Sequence, residues 1–472
     1  MNYRILSSLF RENREYKAFL SSLAEKRRVN RPYSLSGLTD GAEYVFLTTL
    51  AEDIGRTDSP LFLVYPDAKR ASSFAEFLRS VGIKAEFLPE REYCFSNITS
   101  SHEFESKRLS VLASLAGLTP EDCSPSVVTA TASALTQVTM PPELLDSLSI
   151  RVSYSEPLDT SLLTEMLTAA GYARVELVEA VGQFALRGGI VDVYPPSSEP
   201  IRLELFGDEI DRMGYFSVET QRFTEQAPEL IVIPPVRELL LTDSTRAELE
   251  DIISRHIRRL GQTNVADDAH ARAISELQVE LTSLRNGLEI NFADKYLPII
   301  YPEATSALDY VNGTVVIVDS AECEERTGAS NALIEQSIAD MIEHYELPPM
   351  KNAVYSKTYA EILERNGKTV LIDALTRSRG IDPENMFVFN TRHVTAYAGN
   401  IGLFSEDLAR FTKEKYICAV TAMMPRQAQN APMITIRKEL VPKMLRYTTK
   451  DRMNSPRATL RISPPASDFP QF

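Results

Sequence analysis

The run Gly182-Gln183-Phe184-Ala185-Leu186-Arg187-Gly188-Gly189-Ile190-Val191-Asp192-Val193-Tyr194-Pro195-Pro196 leads, four residues on, into Ile201-Arg202-Leu203-Glu204-Leu205-Phe206-Gly207-Asp208-Glu209-Ile210. Apolar and polar residues alternate with period 2, which reads as β-strand. In the second half Ile201, Leu203 and Leu205 share one face, and Arg202, Glu204 and Phe206 share the other. A phenylalanine on the polar side of an alternating strand, beside an arginine, is a candidate anchor for a partner protein, because aromatic and arginine side chains carry much of the energy at binding hot spots. The plainer reading is that Arg187, Arg202 and Glu204 form a cross-strand ion pair of small worth. Phe206 would then tuck under the turn at Gly207-Asp208.

Outward from this stretch, residues 143–227 read as a small strand-rich α+β insert. On either side, 1–142 and 228–378 alternate strand and helix signals. Leu61 to Pro66, Val127 to Thr131 and Val315 to Asp319 read as buried strands. Phe74, Phe77, Leu78 and Val81 form a helical stripe. Two further stripes, Leu249, Ile252, Ile253, Ile257, Leu260 and Leu277, Leu281, Leu284, Leu288, read as core. Thr245 and Glu248 have the spacing of a capping box. The expected fold class is α/β: one parallel-sheet domain split by the insert, plus a small α/β unit over 379–472. In that unit Met386 to Phe389 and Tyr416 to Val420 suit strands, and Ser405 to Lys413 suits a helix. From Arg426 to Phe472 nine basic residues stand against three acidic ones, net +6, with six prolines; that composition suits an extended tail.

The whole chain has 472 residues, 44% of them apolar and 24% charged, and reads as globular with roughly two to four domains. Fifty basic and sixty-five acidic residues give −15, so unaided DNA binding is expected to be weak. No leader pattern and no long uncharged apolar run occurs, which points to a cytoplasmic protein and away from a membrane. Four scattered cysteines and five scattered histidines form no metal-ligand spacing.

The stretch 182–210, continued through Ile210-Asp211-Arg212 and Phe216-Ser217-Val218-Glu219-Thr220-Gln221-Arg222, closely resembles the domain shared by bacterial transcription-repair coupling factors (Mfd) and the excinuclease protein UvrB. The resemblance covers roughly 1–420, strongest at 180–223, and matches the N-terminal region of a coupling factor. It implies a helicase-like (RecA-like, P-loop-type) domain interrupted by a module that binds the excinuclease protein UvrA. The family's contact residues fall on Arg187, Arg202 and Phe206, and Glu204 matches a position implicated in the UvrB version. It also implies that the RNA polymerase contacts and the ATP- and magnesium-dependent DNA motor lie C-terminal to this region. The module's partner surface would be masked in the resting full-length factor.

An engine within this chain would need a phosphate-cradling loop with Lys and Ser/Thr. By resemblance that loop is Gly37-Leu38-Thr39-Asp40-Gly41-Ala42-Glu43-Tyr44. Glu43 stands where the lysine belongs, Tyr44 replaces the magnesium-binding hydroxyl, and Ala42 replaces a glycine. A carboxylate opposite a polyphosphate is repulsive. Val318-Asp319-Ser320 keeps one acid of the second ATPase element and loses the Glu to Ser320; Asp319 is expected as a strand-end cap or turn residue. The short run from Leu88 to Glu103 leaves no room for UvrB's DNA-clamping hairpin. These residues imply a recruitment protein with no cofactor and no catalytic residues of its own. The alternatives are an active ATP-dependent DNA helicase or translocase, and a DNA-binding module using the basic tail.

Overall fold

The computed structural model describes residues 4–25, 31–95, 102–119, 124–262, 268–288, 290–365, 367–373, 381–391 and 400–414, with the two-residue strands Met433–Ile434 and Leu460–Arg461. The strand expected at Tyr416 to Val420 and most of the basic tail lie outside these residues. The described residues group into two compact units. One draws on Met1–Ala18, Gly37–Thr49 and Phe389–Phe472; the other on Phe19–Ser36 and Leu50–Val388.

In the larger unit the chain first lays down β1 (Tyr33–Ser36), β2 (Leu61–Tyr65), β3 (Ala85–Leu88) and β4 (Val127–Thr131). The insert follows, with β5 (Ile150–Ser153), β6 (Ala173–Arg174), β7 (Gln183–Arg187), β8 (Ile190–Val193), β9 (Ile201–Phe206), β10 (Glu209–Phe216), β11 (Phe223–Gln226) and β12 (Leu230–Ile233). Then come β13 (Thr314–Val318), β14 (Thr369–Asp373) and β15 (Met386–Val388). The seven strands outside the insert form one parallel sheet in the order β15-β1-β14-β13-β2-β4-β3. β14, β2 and β4 are buried along their whole length, and β13 in all but its first residue, as an apolar run flanked by helices demands. The α/β class and the parallel sheet are as the sequence implied.

Several local expectations change. Met386–Val388 pairs with β1 at the sheet edge, so the division expected at 379 falls later, near Phe389, where the smaller unit's last segment begins. The insert's limits also move. Leu145 packs with the parallel-sheet core, while Ala227, Ile231, Ile233 and Val236 pack with the insert's own core. β12 pairs antiparallel with β5, so these residues bury apolar area only inside the insert, which therefore runs from about 150 to 236 and not from 143 to 227. The helix Asp243–Gly261 is capped by Thr242, whose side chain accepts from the Thr245 amide at 3.2 Å; the cap lies three residues before the box read at Thr245. Leu288 follows the helix Asp268–Arg285 and is exposed, because the chain has already left the helix at Gly287.

Both flanks of the insert are pinned to the parallel-sheet domain. Arg108 Nε donates to Glu238 Oε1 at 2.9 Å, and the Glu238 amide donates to Glu105 at 2.9 Å. Arg108 precedes the insert and Glu238 follows it, and both are buried. Burial raises the Glu238 pKa, but the charges of Arg108 and Arg91 outweigh it and hold the carboxyl below its ordinary range. An unpaired charge here would carry a large desolvation cost, so the pair fixes where the insert leaves and rejoins its host.

In the smaller unit Phe10, Tyr16, Phe46 and Phe389 pack ring against ring, with centroids 5.5 to 6.0 Å apart. The helix expected over 405–413 spans Ile401–Lys413 and begins at Asn400, whose side chain accepts from the Leu403 amide.

Candidate functional site

Inside the insert, strands β6 to β11 form one sheet in sequence order, β11-β10-β9-β8-β7-β6. β7 to β10 are joined as antiparallel neighbours. The period-2 alternation gives this sheet two unlike faces. Phe184, Val191, Val193, Ile201, Leu203 and Met213 turn inward and pack with Leu163 and Leu167 of the helix Thr160–Ala169. That helix is capped by Asp159, which accepts from the Ser161 amide at 2.8 Å. Cross-strand pairing places Arg187, Ile190, Asp192, Arg202, Glu204, Arg212 and Gly214 together on the opposite face.

Two tight hairpins end at the same edge of this sheet. Gly188 (φ 62°) and Gly207 (φ 65°) each take the first turn position, where a left-handed backbone favours glycine and lets a two-residue loop match the strand twist. The hairpins touch, since the Leu205 amide donates to the Gly189 carbonyl at 2.7 Å. Arg187 and Phe206, each the last residue before its turn, are thereby brought to one edge. Phe206 is 84% exposed. It does not tuck under the turn.

Arg202 differs from the sequence reading. It is buried, and it does not project as an outward contact. Its Nε donates to Asp192 Oδ1 at 2.6 Å and its Nη2 to Asp192 Oδ2 at 2.8 Å. Its Nη1 donates to the Gln221 carbonyl at 2.8 Å. The bond to Asp192 raises the Arg202 pKa, against the opposing effect of burial. Arg187 Nη2 also donates to Asp192 Oδ2, at 2.6 Å, but the Arg187 side chain stays partly in solvent. The carboxylate that joins the two arginines is therefore Asp192 and not Glu204. Asp192 is fully buried and receives three guanidinium bonds.

A loop covers one end of this polar face. The Gln221 side chain donates to the carbonyls of Val178 (3.3 Å) and Val218 (2.9 Å). Gln221 holds a left-handed backbone (φ 57°), a conformation that costs energy in a residue other than glycine and persists where its surroundings demand it. Under the loop Phe216, Ala185 and Val178 form a small buried cluster. Toward the hairpin turns Arg187, Glu204, Phe206 and Arg212 remain open to solvent in whole or part, and so does Phe223, the cross-strand partner of Phe216. Sequence reasoning singled out Arg187, Arg202, Glu204 and Phe206, and missed Asp192, Gln221, Arg212 and Phe223. The lone acid between Val191 and Val193 in a buried strand was the available signal for Asp192.

The helicase-like loop is bonded to its own protein. In the smaller unit, Thr391 Oγ1 donates to the Gly37 carbonyl and accepts from the Thr39 amide, both at 2.8 Å. An amide that would face a phosphate thus already has its acceptor. Gly41, Glu43 and Tyr44 fall in the helix Asp40–Ile54. In the larger unit, Asp319 ends β13 in a left-handed conformation, with no side-chain cap to the following helix. Its carboxylate instead meets Arg70 Nη1 at 2.7 Å. Ser320 donates through Oγ to Asp373 at 2.7 Å. Each acid is thus met by protein groups, Asp319 by Arg70 and Asp373 by Ser320. Among the described residues no group of three or more His, Cys, Asp or Glu side chains could hold a metal. No described helix is long and apolar enough to cross a membrane.

Residues 150–237 match the family model of the UvrB interaction domain. The chain is 25% identical over 427 residues to a transcription-repair-coupling factor of Bacillus subtilis (strain 168), covering 87% of this chain and 34% of that protein. It is 29% identical over 286 residues to one from Mycobacterium tuberculosis, covering 58% of this chain and 22% of that one. It is 32% identical over 176 residues to one from Myxococcus xanthus, covering 37% and 14%. The chain spans about a third or less of the length of these relatives. Its likeness to the N-terminal region of transcription-repair coupling factors, read first from the insert, extends over most of its length.

Proposed function

We propose that this chain is the recruitment portion of a transcription-repair coupling factor. Its inserted module binds the excinuclease protein UvrA and so brings nucleotide excision repair to RNA polymerase stalled at a lesion. The observation that carries this reading is Phe206: a large ring held in the open at the same hairpin edge of the sheet as Arg187, within a region similar to the UvrB interaction domain. A monomer gains nothing by exposing such a ring, whereas an interface core is built from rings seated in a partner's depression.

Phe206 would fill an apolar depression on UvrA. Arg187 would share its charge between Asp192 and a partner carboxylate, and Glu204 would face the partner's polar rim. Arg202 acts from within, as the strut that holds Asp192 and the 217–222 loop. In this proposal the chain works by binding and hydrolyses no ATP. Glu43 and Tyr44 in the loop, and the pairing of Asp319 with Arg70, support that part.

The test is the affinity of the full chain for purified UvrA, with Phe206→Ala as the variant. Loss of a hot-spot ring costs about 2 kcal/mol or more, roughly a 30-fold weaker complex. Because the ring is exposed, hydrogen exchange of the module's β8 and β9 amides in the variant should match the parent's. Equal affinity of variant and parent would remove the proposal.

A further inference from the structure

Across the polar face of the inserted sheet, rings and guanidiniums alternate. The Phe216 ring lies 4.5 Å from the Arg202 guanidinium carbon, which lies 5.9 Å from the Phe223 ring, which lies 3.8 Å from the Arg212 guanidinium carbon. The series starts inside the module, with Phe216 and Arg202 buried, and ends at its surface, with Phe223 half-buried and Arg212 exposed.

Charge is distributed unevenly along it. Arg187 and Arg202 share the single carboxylate of Asp192. Among the described residues Arg212 has no carboxylate within 4.0 Å, although Glu204 is its direct cross-strand neighbour. Of the three guanidiniums on this face, Arg212 is the one whose charge is not met from within. It lies against the Phe223 ring, 3.8 Å from the centroid. Gly214 forms the floor beneath the ring: a Cβ there would come within 2.8 Å of Phe223 and 2.7 Å of the Glu225 carbonyl oxygen. Two residues before Phe223, Gln221 is held by Arg202, Val178 and Val218. A guanidinium stacked on a ring keeps its outer N–H groups free for a carboxylate in a planar, two-point contact.

We propose that Arg212, held against Phe223, is a second contact point of the module, taking a carboxylate on the partner beside the depression that receives Phe206. The Asp192–Arg202–Gln221 cluster serves it as a set of positioning residues. This rests on the reading of the module as the docking site for UvrA. The contact surface then runs from the Arg187 and Phe206 hairpin edge across β10 to β11, and its chemistry calls for an acidic partner surface around an apolar hollow.

The experiment measures the dissociation constant of the full chain for purified UvrA at low and high salt. Arg212→Ala, Arg212→Lys and Gly214→Ala are compared with Phe206→Ala, and hydrogen exchange of the module's β8 and β9 amides serves as the control for folding. Arg212→Ala is expected to weaken binding about 10-fold at low salt and to flatten the salt dependence, because a charged contact is lost. Arg212→Lys should recover only part of this, since an ammonium cannot keep the planar stack. Gly214→Ala should weaken binding with the charge unchanged, by displacing the ring. If Arg212→Ala and Gly214→Ala bind like the parent while Phe206→Ala does not, the second contact point is overturned and the docking reading stands. If Phe206→Ala also binds like the parent, the docking reading itself fails.

Discussion

Replacing Arg202 by Met removes two of the three guanidinium bonds that Asp192 receives, at 2.6 and 2.8 Å, and leaves the single bond from Arg187 at 2.6 Å. It also strips the Gln221 carbonyl of its donor and takes the cation from beside Phe216. Asp192 stays buried with its charge, and breaking a buried pair from one side costs about 3–5 kcal/mol. Arg187 remains as partial compensation, so the lower end, about 3 kcal/mol, is expected. Replacing both partners, Arg202→Met with Asp192→Leu, leaves no stranded charge; Arg187, already partly in solvent, can turn to water. Most of the loss should then be recovered. Because the chain holds more than one core, a single melting curve would mix transitions. Hydrogen exchange of the β8 and β9 amides, such as Val191 and Leu203, reports the opening of this module alone. A single variant that exchanges like the parent, or a double variant no better than the single, would refute the view that Asp192 and Arg202 are a structural pair. The same reasoning makes Arg202→Glu unsuitable as a probe of partner contact, since it sets a second carboxylate against Asp192 in the interior.

Two further outcomes follow from other parts of the chain. His256 Nε2 sits 3.0 Å from the Tyr345 carbonyl and its Nδ1 lies 3.0 Å from Arg259 Nη2; the neutral ring with a proton on Nε2 satisfies both. Burial lowers the His256 pKa, as do Arg259 and Lys295, against the Tyr345 carbonyl. The unfolded chain takes up this proton near pH 6.5, whereas the native site resists it. The site's stability is therefore full above that pH and falls as acid is added; amide protection in the helix Asp243–Gly261, measured against the intrinsic exchange rate at each pH, should fall between about pH 7 and 5.5, and His256→Gln should flatten that response. A calorimetric titration of the full chain with Mg-ATP should release no binding heat, given Glu43 in the loop and Arg70 on Asp319; saturable binding would restore the translocase alternative.

How much was legible differs from feature to feature. Alternation alone placed Arg202, Glu204 and Phe206 on one face, and the pairing of β8, β9 and β10 agrees. That Glu43 and Ser320 stand where the resemblance expects a lysine and a glutamate is a matter of residue identity alone. Helix and strand limits were less secure: Thr242 and not Thr245 is the cap, and Leu288 continues a spacing that the helix itself does not. Domain limits depend on which core a side chain enters. Local pattern does not record that for Leu145 or Ile233.

Residue order was enough to favour a parallel sheet, interrupted by a strand-rich module with an apolar and a polar face, and to put Glu43 where the resemblance expects a lysine. These follow from side-chain identity and from the two-residue repeat of a strand. Which of three arginines on the polar face is structural, and which meets solvent, was fixed by packing alone. Alternation assigns Arg187, Arg202 and Arg212 to the same side. The 217–222 loop, folded back over that side, buries Arg202 against Asp192 and leaves Arg212 in water. A strand's period tells which way a side chain points; what lies over it comes from residues distant in sequence, through burial and the cost of an unpaired charge.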